Sequence, residues 1–354
     1  MKRKSASLFL GLIVACTTLI GLKASAQEPN TTDQINWQPG RTFDTGEETS
    51  VSIARNGNYI VEIHQSNSTR RMWYHVGRLV TQWPSGYTLS WGKSHNLDTN
   101  GEWPAVTVTQ EGYVILVNSP GGQVVNQIVY WVGKINLVGG IDQDIQWYIK
   151  AQPFGYGFHP SVAVDSYGKI ALVYECQNGC SDDLNYRVGH LENPAAGKYS
   201  IVWDSGKDAV QYDRGVNPHI AINDNGQVIE VHQVGAKEQL LHYRRGSLYS
   251  TSIDFLDSVR YDNNGRQPAV TLTNNGKVVE THIYKDSVYA RTATYDANDP
   301  SRVVWSDSVE ISKERFNNYP AITNNNIQVL STWTAGNNPF GSPDTLQYSR
   351  AAVE

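Results

Sequence analysis

The sequence predicts an all-β fold, a six-bladed β-propeller of four-stranded blades whose last blade is closed by a strand from the N-terminal end. Three observations lead there: a recurring unit, Gly turns inside each unit, and an incomplete unit at each end of the chain. The unit opens with Trp103-Pro104-Ala105-Val106-Thr107-Val108, His159-Pro160-Ser161-Val162-Ala163-Val164, Asn217-Pro218-His219-Ile220-Ala221-Ile222, Gln267-Pro268-Ala269-Val270-Thr271-Leu272 and Tyr319-Pro320-Ala321-Ile322. The prolines are 56, 58, 50 and 52 residues apart, and a first copy without proline, Thr49-Ser50-Val51-Ser52-Ile53, begins 55 residues before Pro104. A fixed period of that size is the signature of stacked repeats, and each unit is long enough for four strands.

The copy that begins at Asn217 is the most legible. Ile220 to Ile222 reads as a first strand, Asp224-Asn225-Gly226 as a turn, Gln227 to Gln233 as a second strand, Gln239 to Arg244 as a third and Ser252 to Tyr261 as a fourth. Asn-Gly recurs at 56–57, 225–226 and 275–276, with Glu111-Gly112 and Tyr167-Gly168 as variants. Asn and Gly tolerate the positive φ of the two-residue turns that match strand twist, so hairpins are expected at all of them. No stretch sustains a capped 3.6-residue apolar period, and β-branched and aromatic residues fill the spaces between turns.

The last copy ends after a third strand at Thr345 to Arg350. Its missing fourth strand is expected at residues 34–46, because Ile35-Asn36-Trp37 and Phe43-Asp44-Thr45-Gly46 match Ile201-Val202-Trp203 and Tyr212-Asp213-Arg214-Gly215 at the end of the third copy. Such closure covers an edge that an open array would present for aggregation.

Residues 1–26 read as an export signal: Lys2-Arg3-Lys4, an apolar run from Leu8 to Leu22, and the small residues Ala24-Ser25-Ala26 before the cut. The expected mature chain, residues 27–354, is then one secreted or periplasmic domain, with lipid anchoring through Cys16 as the minor alternative. No other run is long and apolar enough to span a bilayer. Removing the leader leaves 25 basic and 34 acidic residues, a net charge of −9. Nucleic acid is excluded as a partner on that charge. Cys176 and Cys180 are the only remaining cysteines and are expected to bridge in an oxidising compartment.

Two patterns carry candidate chemistry. In the loops that lead into the first strands, Asp44, Asp98, Asp213 and Asp262 stand near Trp103, His159 and Tyr319, and acceptors beside aromatics suit sugar hydroxyls and pyranose faces. The plainer reading is Asp-x-Gly turn chemistry. Oxygen donors there are also compatible with Ca²⁺, though no complete calcium motif is present and no metal or other cofactor is otherwise expected. The second pattern is Glu-x-His on second strands: Glu62 with His64, Glu230 with His232, Glu280 with His282. Period two places each pair on one face. Its recurrence in three copies, with Arg244 and Arg291 on adjacent third strands, favours a buried Glu-Arg-His network that holds blades in register over an active site. Motifs for nucleophilic, zinc-protease or phosphate chemistry are absent, so no catalytic residue is assigned.

Over residues 34–350 the chain resembles secreted bacterial and fungal six-bladed propellers that include sugar-binding lectins, and more distantly sialidase-type propellers. The resemblance rests on repeat length, N-terminal closure and aromatic turns. Here the Asp loops mostly lead into proline and lack the leading Ser-x of the sialidase Asp box. What the resemblance implies is a lectin-like protein that binds a glycan or glycoconjugate through rim loops. The alternatives are a polysaccharide hydrolase or lyase with a central-pocket site, and a protein-interaction scaffold. Equal sites on several blades would favour the lectin, and one asymmetric carboxylate pocket the enzyme.

Overall fold

A computed structural model describes residues 35–54, 57–82, 86–120, 127–136, 143–176, 182–192, 200–206, 209–295, 302–312, 317–336 and 344–353. The expected leader, Cys16 and Cys180 lie outside the described residues, which contain strands and no α-helix.

In chain order, β1 (Arg41–Thr45) precedes a sheet of β2 (Glu47–Ile53), β3 (Tyr59–Gln65), β4 (Arg71–Gln82) and β5 (Gly86–Asn100). The second set is β6 (Glu102–Val108), β7 (Tyr113–Ser119), β8 (Gln127–Ile135) and β9 (Ile145–Val164). The third set begins within β9 and adds β10 (Lys169–Cys176), β11 (Asp183–Leu191), β12 (Ile201–Trp203) and β13 (Val210–Arg214). Then follow β14 (Val216–Ile222), β15 (Gln227–Gly235), β16 (Glu238–Leu248), β17 (Ile253–Phe255) and β18 (Val259–Asp262). The fifth set is β19 (Arg266–Leu272), β20 (Val278–Tyr284), β21 (Ser287–Tyr295), β22 (Val303–Trp305) and β23 (Val309–Glu310). The last is β24 (Asn317–Asn324), β25 (Gln328–Ala335) and β26 (Thr345–Ala352). All pairings are antiparallel, and β1 completes the last sheet through Arg41↔Tyr348 and Thr45↔Thr345.

Two details differ from the sequence expectation. The fourth strand of the third, fourth and fifth sets is split in two; in the fourth, the carbonyl of Leu256, in the break, accepts a hydrogen bond from Arg244 Nη1 at 2.7 Å. The hairpin glycines are also not the second residue of a two-residue turn. Gly112, Gly168, Gly226 and Gly276 have φ of 82°, 83°, 74° and 85°, and each donates its N–H to the carbonyl three residues earlier. The turn is thus closed by the residue that opens it: Asn223 Oδ1 accepts from Asn225 N and Gln227 N, and Asp165 Oδ1 from Tyr167 N and Lys169 N. A Gly in left-handed geometry after a turn is the three-residue alternative for hairpins.

The chain passes from the outermost strand of one set to the innermost of the next within a single residue at Gly46, Gly101 and Gly215, and without a break inside β9. Residues 263–265 separate β18 from β19, whereas residues 311–316 separate β23 from β24. Close approach explains the glycines. A Cβ on Gly46 or Gly215 would meet His64 Cδ2 or His232 Cδ2 at 2.6 or 2.7 Å.

Apolar layers lie between successive sheets. Ile63, Met72 and Tyr74 pack on Leu116 and Val129, and Val188 and Val173 on Ile222 and Val228. Val51, Ile60 and Leu79 pack on Leu330 and Tyr348 of the last sheet. The innermost strands adjoin in the order β2, β6, β9, β14, β19, β24, and β24 adjoins β2. These strands have edges with free backbone donors, which side chains of the neighbouring strand satisfy. Ser50 Oγ accepts from Val106 N, Ser52 Oγ from Val108 N, Ser161 Oγ from Ile220 N and Thr323 Oγ1 from Ile53 N, all at 3.0–3.1 Å.

Candidate functional site

Each innermost strand begins with the same irregularity. Glu48, Trp103, His159, Asn217, Gln267 and Tyr319 have φ between 43° and 53°, although none is glycine and five precede proline. Left-handed geometry is costly for such residues, and proline further disfavours helical geometry before it. The ladder to the second strand shifts register at these positions in all six cases, for example between Glu47 and Ser50 and between Glu102 and Ala105. A bulge of this kind re-aims a side chain. All six residues line one opening of about 590 Å³.

The six side chains differ, so the opening is asymmetric. Trp103 and His159 rings lie 4.6 Å apart, tilted by 50°, with Phe158 edge-on to Trp103. His159 Nδ1 donates to Glu175 Oε1 at 2.7 Å, and that oxygen also accepts from Asn217 N. Gln267 Oε1 accepts from Tyr319 N. Glu48 Oε2 accepts from Trp103 N at 2.7 Å. Burial pushes the Glu48 carboxyl up to about 7, against the Trp103 amide, with Glu47 and Glu102 adding repulsion. Burial together with the charges of Glu48 and Glu47 pushes the Tyr319 phenol up to about 12. His219, deeper in the opening, is pushed down to about 4 by burial and accepts from Val270 N through Nδ1. One carboxyl poised near neutrality, beside an imidazole oriented by a second carboxylate, can donate and accept protons.

A second constellation recurs between sheets. Tyr212 stacks on Phe255 and donates to Glu230 Oε1; Tyr261 stacks on Trp305 and donates to Glu280 Oε1. His232 and His282 donate through Nδ1 to Glu230 and Glu280 at 3.0 Å. Arg244 Nε binds Asp213 Oδ2 at 2.5 Å, and Arg291 binds Asp262 and, at 3.3 Å, Glu280. Both glutamates are fully buried. Burial works against a charged His232, but Glu230 outweighs it and the imidazole pKa rises. Burial likewise opposes Asp213 ionising, yet the Arg244 hydrogen bond holds its pKa below the usual range.

The first sheet carries a variant of this arrangement. Phe43 stacks on Trp91 but has no hydroxyl, and Thr49 Oγ1 donates to Glu62 instead. His75 occupies the register position opposite Glu62 that Arg244 and Arg291 hold opposite Glu230 and Glu280. Asp44 Oδ2 lies 2.7 Å from His75 Nε2 and 3.8 Å from His64 Nε2. Among the described residues, Asp44, His64 and His75 are three metal-ligating side chains whose donor atoms lie within 4.8 Å of one another.

The sequence-derived residues therefore divide. Trp103, His159 and Tyr319 meet at the opening. Asp44, Asp213 and Asp262 instead bind cationic side chains between sheets, beside Glu62, His64, Glu230, His232, Glu280 and His282. Arg244 engages Asp213 where Glu230 was the expected partner. Asp98 is exposed, with its N–H on Asn96 Oδ1. Cys176 ends β10, and its expected partner is outside the described residues. Glu48, Asn217 and Gln267 at the opening were not singled out from sequence. The last two precede the repeated proline, which was the available signal; Glu48 precedes Thr49 and carried none.

No family model and no curated protein matches the chain. Solved structures with a similar fold do exist. A protein of unknown function from Dyadobacter fermentans is 10% identical with a TM-score of 0.59, the match covering 90% of this chain and 99% of that one. The α-L-arabinanase of Penicillium chrysogenum, solved with arabinobiose, is 13% identical with a TM-score of 0.54, covering 90% and 99%. The GH93 α-L-arabinofuranosidase of Fusarium graminearum, also solved with arabinobiose, is 13% identical with a TM-score of 0.54, covering 90% and 98%.

Proposed function

We propose that the protein is an exported six-bladed propeller, its last blade closed by β1, that hydrolyses a glycan at the mouth of its central channel. The observation that carries this reading is the Glu48 carboxyl, raised to about 7 inside one asymmetric ring of side chains. Glycoside hydrolysis needs a proton on the leaving oxygen and a basic group that activates water or attacks the sugar. Glu48 supplies the proton. His159, held at Nδ1 by Glu175, supplies the basic partner through Nε2. Trp103 and Tyr319 offer faces for sugar rings, and Asn217 and Gln267 offer amides for hydroxyls. Arabinan is the first substrate class to test, because two enzymes with a similar fold were solved with arabinobiose.

The lectin-like reading is weaker, because the repeated rim aspartates it relied on are already engaged between sheets. The test is hydrolysis of arabinan, arabino-oligosaccharides and a panel of aryl glycosides by the wild type and by Glu48→Gln. Turnover lost in the variant supports the proposal. Glycan binding without turnover by the wild type would return the protein to the lectin class.

A further inference from the structure

We propose that Asp44, His64 and His75 form a zinc-binding site between the last and first sheets, apart from the channel mouth. Two other copies of the network lie between later sheets. There the acidic pair, Asp213 with Glu230 or Asp262 with Glu280, is answered by the permanent charge of Arg244 or Arg291. In the first sheet the acidic pair is kept, as Asp44 and Glu62, and the guanidinium is gone. A shorter imidazole stands in its place, so the cluster has lost a fixed cation and gained a ligand.

The tautomers are set for coordination. His64 Nδ1 donates to Glu62 Oε2 at 3.0 Å, and His75 Nδ1 donates to the Gly92 carbonyl at 3.1 Å. Both rings thereby direct Nε2 towards Asp44 Oδ2, with carboxylate and carbonyl as outer partners of the kind metal-bound histidines use. The side chains of His64 and His75 are 2% and 6% exposed, and that of Asp44 is 27% exposed, which leaves one side open to an entering ion. Donor pairs around tetrahedral Zn²⁺ lie about 3.3 Å apart, which falls between the observed 2.7 and 3.8 Å. Two nitrogens and one oxygen select a borderline transition metal over Ca²⁺ or Mg²⁺. On binding, Zn²⁺ takes the place of the Nε2 proton of His75, and the released proton goes to solvent. Water fills the fourth position.

The experiment uses untagged full-length protein, stripped with chelator and titrated with Zn²⁺ and with Co²⁺ as a visible reporter. One equivalent of Zn²⁺ should bind, Co²⁺ should give tetrahedral absorption, and Zn²⁺ should raise the melting temperature. His75→Arg, which copies the other two sheets, should bind about 100-fold or more weakly and melt no lower than the stripped wild type. Asp44→Asn should also weaken binding and serves if the arginine variant does not fold. Binding well below one equivalent in the wild type, or binding undiminished in both variants, would overturn the assignment.

Discussion

Replacing Glu48 with glutamine removes the ionisation on which the proposed chemistry depends while keeping an acceptor for the Trp103 amide. Burial pushes this carboxyl up to about 7 from an ordinary value of 4.5. At roughly 1.4 kcal/mol per unit, the folded chain disfavours ionised Glu48 by about 3 kcal/mol relative to the unfolded chain. The sign follows from proton counting. Between pH about 4.5 and about 7 the native state keeps a proton that the unfolded state has released, so this group lowers stability as pH rises. His219 works in the opposite sense over part of the same window, since its pKa falls from 6.5 to about 4. The wild-type profile therefore mixes the two, and the difference between wild type and variant isolates Glu48. Glu48→Gln should match the wild type near pH 4 and exceed it by up to about 3 kcal/mol near pH 8. For a chain of this length that is about 4–5 °C in Tm. Thermal melting at both pH values, with hydrolysis measured on the same samples, makes the assay. A gain in stability with loss of turnover is the expected pair. Parallel profiles would refute the raised pKa, and retained turnover would refute the role of Glu48 as acid.

Trp103→Ala should raise KM at least about tenfold with little change in Tm, because its ring faces the opening; steady-state kinetics decides it. Glu230→Gln should cost about 1–3 kcal/mol in denaturant unfolding and leave turnover unchanged, since His232 and Tyr212 lose a charged partner away from the channel. Deleting residues 35–45 should expose the edge of β26 and cause aggregation on heating, followed by light scattering; an unchanged melting profile would sink closure by β1. Alkylation without reduction, read by mass spectrometry, should find Cys176 and Cys180 unlabelled in exported protein; labelling of both would reject the proposed bridge.

The repeat was legible because it is backbone chemistry. Proline, glycine and β-branched residues at fixed spacing constrain φ and burial locally, and the match of Phe43-Asp44-Thr45-Gly46 to Tyr212-Asp213-Arg214-Gly215 located the strand that joins β26. The channel mouth was half legible, since Trp103, His159 and Tyr319 share the position before proline. What failed to show was Glu48, because no proline follows it to mark the position, although its bulge and left-handed backbone match those of the other five. The partner exchange of Arg244 was also hidden. Its register neighbour Glu230 is contiguous in the sheet, but Asp213 reaches it from the preceding sheet, a distance no local pattern encodes.

The single-residue crossings at Gly46, Gly101 and Gly215 leave no slack between one sheet and the next, and β9 leaves none at all. Extra chain placed there would force two packed layers apart. Six residues intervene between β23 and β24, yet Ile311 and Ser312 among them are buried and bonded to Val288 of β21. New chain ends or a guest domain should therefore be rejected at Gly46, Gly101 and Gly215 and within β9, so a permuted or fused form of the protein would best be opened elsewhere.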